Sequence, residues 1–125
     1  MQIYIDHPCL KYGLQTYSFI PKARPWGITE NKYKIDNLGI VFIDCDTYSS
    51  SKSVLNFIAP LIKKELIICL DDWKLNDLDV KGMGEYKAFN EFLEENLHLK
   101  ATPIKSYNRK SKSFLIKPVV PNQNP

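Results

Sequence analysis

This sequence predicts an α/β domain built on a mixed sheet, and three observations predict it. Two short apolar runs, Gly39-Ile40-Val41-Phe42-Ile43 and Leu66-Ile67-Ile68-Cys69-Leu70, are rich in β-branched residues and too short for buried helices, so both read as buried strands of the parallel kind. A stretch of helical periodicity separates them. Near the C-terminus, two strand-like segments flank the turn Asn108-Arg109-Lys110-Ser111, which predicts an antiparallel hairpin.

Residues 1–36 form a poorly defined N-terminal segment. Residues 15–20, Gln-Thr-Tyr-Ser-Phe-Ile, read as a possible strand with Tyr17 and Phe19 on one face. Pro21 and Pro25 then interrupt regular structure, and residues 22–27 read as loop. After the first apolar run, Ser49, Ser50 or Ser51 is placed to cap a helix whose buried stripe is Val54, Leu55, Ile58, Leu61 and Ile62. Pro60 falls inside that stripe and is expected to kink or shorten the helix.

The second strand, 66–70, leads into a polar loop over 74–84. A second helix over 85–97 is expected to bury Tyr86, Phe89, Leu93 and Leu97. Strands over 100–107 and 112–118 follow, and the tail 119–125, rich in proline and asparagine, reads as disordered. The order strand, helix, strand, helix, strand, strand implies parallel pairing with right-handed crossovers, helices on the faces, and a terminal hairpin that makes the sheet mixed.

Composition narrows the function classes. With 125 residues the chain holds one small domain, and 44% hydrophobic with 25% charged residues is the balance of an ordinary globular protein. A formal charge of +3 is too mild to argue for nucleic acid, and the basic residues at 109–112 read as a solvated turn. Three cysteines without a repeating spacing argue against a disulfide framework. No segment reaches membrane-spanning length, and the N-terminus lacks a signal-peptide pattern. A cytoplasmic, reduced protein is the expectation.

The chemistry gathers where the apolar runs end. Asp44-Cys45-Asp46 closes the first run, and Asp71-Asp72-Trp73 closes the second. Ligands in open α/β sheets gather at the carboxyl ends of strands. Four carboxylates delivered to one rim would make a hard-oxygen metal site or an acid/base site. Two structural readings stand beside this one: Asp46 as a helix cap, and Asp71-Asp72 as a plain turn. Trp73 reads equally as packing or as the wall of a pocket. His98 reads as a helix-end partner, and His7 as incidental.

Three segments carry a family resemblance. Phe42-Ile43-Asp44-Cys45-Asp46-Thr47-Tyr48-Ser49-Ser50, Asp71-Asp72-Trp73 and Gly84-Glu85-Tyr86-Lys87-Ala88-Phe89-Asn90-Glu91-Phe92 together resemble the macrocin O-methyltransferase-like family. These are class I S-adenosylmethionine-dependent methyltransferases, whose seven-stranded Rossmann-like sheet has an antiparallel last strand. The resemblance covers residues 37–118 and implies the C-terminal half of that fold. It implies that Asp44, Asp71 and Asp72 hold Mg²⁺ or another divalent cation, and that Asp44 doubles as a base for an acceptor hydroxyl. Asp46 and Tyr48 would support the site, and Trp73 would wall the pocket. The implied activity is metal-assisted methyl transfer from S-adenosylmethionine to a hydroxyl of a sugar or secondary metabolite.

The chain departs from that family in two places. None of its five glycines forms a Gly-x-Gly after a strand, so the loop that would cradle the cofactor is missing and the cofactor-binding residues are unknown. Lys63-Lys64-Glu65 stands where the family turns into its next strand through a glycine, which is tolerable if that turn needs no positive φ. In the family's strand order the segment ending at Asp44 would pair with the absent first strand. Ile40, Val41 and Ile43 are then expected to form an exposed apolar edge. That expectation suggests a truncated product, a second chain supplying the missing half, or a homodimer through the edge. It also predicts an isolated chain that is inactive.

Rival readings are a metal-dependent sugar-nucleotide glycosyltransferase fragment, an aspartyl-nucleophile phosphatase, and a degenerate, non-catalytic half-domain acting in assembly. The first needs only one acidic motif. The second places its Thr one residue later than Thr47 and its remaining acids far downstream of Asp71.

Overall fold

The computed structural model describes residues 2–9, 13–19, 38–45 and 47–119, the first two segments by backbone alone. Six strands form one sheet in the order β2-β1-β3-β4-β6-β5, with β1 at Gln2–Cys9, β2 at Gly13–Phe19, β3 at Ile40–Asp44, β4 at Leu66–Leu70, β5 at Leu99–Ile104 and β6 at Lys112–Pro118. Helices α1 (Tyr48–Ile58) and α2 (Gly84–Glu95) follow β3 and β4. The β3–β4 pair is parallel; every other neighbouring pair is antiparallel. The fold is therefore α/β with a mixed sheet and a C-terminal antiparallel hairpin.

The edge expected along β3 is closed. β1 pairs antiparallel with β3, from Gln2 opposite Asp44 to Asp6 opposite Ile40. Val41 and Ile43 are fully buried, and the outer strands of the sheet are β2 and β5. A dimer through the β3 edge has no free backbone to use. The strand expected over 15–20 lies at Gly13–Phe19 and is the second arm of a hairpin with β1, a strand the sequence reading did not anticipate. Residues 120–125 of the tail expected to be disordered, the loop at 22–27 and Asp46 lie outside the described residues, while Val119 N donates to His98 O at 2.6 Å.

Burial along the strands alternates instead of being complete. Val41 and Ile43 of β3, Leu66, Ile68 and Leu70 of β4, and Phe114 and Ile116 of β6 share one face by register, and all are buried. Val54, Leu55 and Ile58 of α1 and Ala88, Phe89 and Phe92 of α2 complete the core over that face. Burying each large apolar side chain contributes roughly 1.5–3 kcal/mol. Ile40, Phe42, Ile67 and Cys69 point the other way and are half-buried.

Helix boundaries follow local chemistry. Thr47, not a serine, caps α1: its backbone is extended and its Oγ1 accepts from Ser50 N at 3.3 Å. The three serines lie inside the first turns, and Ser51 donates to the Thr47 carbonyl at 3.0 Å. α1 stops at Ile58 because Pro60 follows, and Ala59–Leu61 tightens into a 3₁₀ turn. Glu65 has no positive φ, so the turn into β4 needs no glycine.

α2 buries only part of the expected stripe, with Phe89 inside and Leu93 partly buried against the core. Glu85, Ala88, Phe89 and Phe92 face inwards, whereas Tyr86 is 36% exposed and Leu97, beyond the helix, is 86% exposed. Gly84 sets that phase. Its φ is +64°, and a Cβ there would meet Leu78 Cδ1 at 2.7 Å.

Candidate metal centre

The two parallel strands end side by side, and this juxtaposition builds the site. The ladder continues one step beyond the strands, with Asp71 N donating to Ile43 O at 2.9 Å. Asp44 and Asp71 therefore follow paired residues on neighbouring strands, about 4.8 Å apart by sheet geometry. Both continue the half-buried face carrying Phe42 and Cys69. Asp72, one residue on, is buried. One carboxylate oxygen from each of Asp44, Asp71 and Asp72 lies within 4.8 Å of the others. That spacing suits three oxygens around one hard cation at 2.0–2.6 Å from each, the ordinary ligand distances of Mg²⁺ or Ca²⁺.

Glu85 anchors this arrangement from behind. The first turn of α2 brings its carboxylate under the loop, where Oε2 accepts from Asp72 N at 3.0 Å. Burial pushes the Glu85 pKa up to about 8, the Asp72 and Asp71 charges push the same way, and the Cys45 and Asp72 amides oppose them. Neutral pH therefore leaves this side chain largely protonated.

The hairpin loop supplies the remaining partners. Lys110 Nζ lies 3.4 Å from Asp71 Oδ2 and 3.5 Å from Asp72 Oδ1. Those charges, Asp71 foremost, raise the Lys110 pKa. Tyr107 donates its hydroxyl to Asp71 Oδ1 and sets its ring 5.7 Å from that of Phe42. Burial, then the bond to Asp71, raises the Tyr107 pKa, so the phenol stays a donor. The turn holds its shape through Asn108 Oδ1, which accepts from Lys110 N at 3.0 Å and Ser111 N at 2.8 Å.

The structure brings the carboxylates of Asp44, Asp71 and Asp72 together. Trp73 and Tyr48 are elsewhere. Trp73 is 7% exposed, with its ring 5.8 Å from Phe89 and 5.4 Å from Phe114, so it packs in the core and offers little surface to a ligand. Tyr48 donates to Glu91 and carries Lys87 Nζ 4.7 Å above its ring, tying α1 to α2. Three participants escaped the sequence reading: Glu85, Tyr107 and Lys110. Glu85 did leave a signal, since positions 85, 88, 89 and 92 share one helical stripe. Lys110 left none, because its contacts join segments far apart in the chain.

The class of protein defined here is an α/β domain with a carboxylate centre at the carboxyl ends of two parallel strands. Comparison with family models, with curated proteins and with solved structures finds no match to this chain. Among the described residues, no helix is long and apolar enough to cross a membrane.

Proposed function

We propose that this domain is the acceptor-side half of a metal-assisted O-methyltransferase of the macrocin O-methyltransferase-like kind. The observation that carries the reading is the convergence of Asp44, Asp71 and Asp72 within 4.8 Å. The topology adds support: β6, the last strand, runs antiparallel to its neighbours, as the resemblance to a Rossmann-like methyltransferase sheet implies. Three carboxylates suit Mg²⁺, which takes few protein ligands and keeps sites for water and substrate oxygens. Bound there, such an ion would lower the pKa of a hydroxyl and fix its orientation.

The chain's own residues divide the remaining work. Asp44, half-buried at the rim, would be the base for an acceptor hydroxyl. Asp71 and Asp72 would hold the cation, and Glu85 accepts from the Asp72 backbone N–H. The described residues contain no Gly-x-Gly after a strand, so no part of the donor cradle is assigned to them. A sugar-nucleotide glycosyltransferase would need one acidic motif. The second strand's acids at the same point favour the methyltransferase reading.

Calorimetric titration with Mg²⁺ tests this directly. One ion per chain is expected, with S-adenosylmethionine binding weakly or not at all to the 125-residue chain. Absence of both heat and thermal stabilisation with Mg²⁺ and with Mn²⁺ would sink the proposal.

A further inference from the structure

We draw no further inference here: the strongest candidate, the exposed apolar patch of Val80, Met83 and Tyr86 where the loop after β4 enters α2, carries nothing because nothing in the structure shows what covers it.

Discussion

Among the described residues, two clusters bring acidic side chains around a lysine, and they are built to opposite ends. Between the helices, Lys52 Nζ lies 3.0 Å from Glu91 and 2.6 Å from Glu95, and Tyr48 donates to Glu91. Two carboxylates meet one ammonium and one hydroxyl, all on helix surfaces. At the strand ends, three carboxylates converge on a point with Lys110 to one side and the buried Glu85 behind. The first cluster ties elements together. The second gathers three carboxylates at a rim where two parallel strands end. Convergence at the ends of neighbouring strands, rather than the presence of acids, separates a candidate site from a brace.

The largest expected effect separates the two clusters outright. Asp44→Asn should weaken Mn²⁺ binding by more than about 100-fold, since replacing even a residue behind a metal ligand commonly costs 10–100-fold. Glu91→Gln should leave that affinity unchanged. In metal-free protein the signs invert: Asp44→Asn relieves like charge between adjacent strands and should raise stability by about 0.5 kcal/mol. Urea titrations with and without Mn²⁺ read both. Equal Mn²⁺ affinity in the two variants would erase the distinction.

Much of the strand-end cluster was legible in the sequence, because its logic is local. A short β-branched run must end, and acids following two such runs fall on one rim if the strands are parallel neighbours. β4 and β6 match the expected spans 66–70 and 112–118 for the same reason. What was not legible depends on distant pairing. β1 contains polar residues and Pro8, so it gives no clean alternation, and its place beside β3 comes from the hairpin it forms with β2. Lys110 and Tyr107 belong to a turn whose composition signals only solvent exposure. The stripe of α2 was misread at its ends, because Tyr86 and Leu97 were read as core and are exposed, whereas the helix turns Glu85 inwards.

That inward acid gives the next prediction, in which stability rather than binding is the readout. The Glu85 carboxyl has a pKa raised from its ordinary value of 4.5 to about 8 by burial and by Asp72. A raised carboxyl pKa means that the folded state favours the protonated form. Its burial is harmless below pH ~4.5 and increasingly destabilising as pH climbs to about 8, where the penalty levels off. Glu85→Gln should flatten that slope and stabilise the protein at pH 9 by about 1–3 kcal/mol, discounted from the full linkage value of 1.36 kcal/mol per pKa unit. Glu91, on the helix surface, has its pKa lowered, first by the Tyr48 hydroxyl and then by Lys52, so Glu91→Gln should produce no such gain at high pH. Urea unfolding from pH 5 to 9 distinguishes them, and a wild-type curve that stays flat across this range would remove Glu85 from the account.

The smallest effect belongs to the helix cluster itself. Lys52→Met removes the shared cation but keeps the aliphatic stem against α2. Exposed ion pairs contribute little, because solvent screens them and ordering two long side chains costs entropy. A loss of about 0.2–1 kcal/mol is expected at low salt. It should shrink towards zero near 1 M salt, where the screening length falls to about 3 Å. The same salt series on Lys110→Met should keep more of its effect, since Asp72 is only 6% exposed and a buried partner is screened less. Thermal midpoints across the series decide the matter. If the two lysines lose their contributions in parallel, the strand-end cluster is as solvated as the helix brace and has no special claim on a cation.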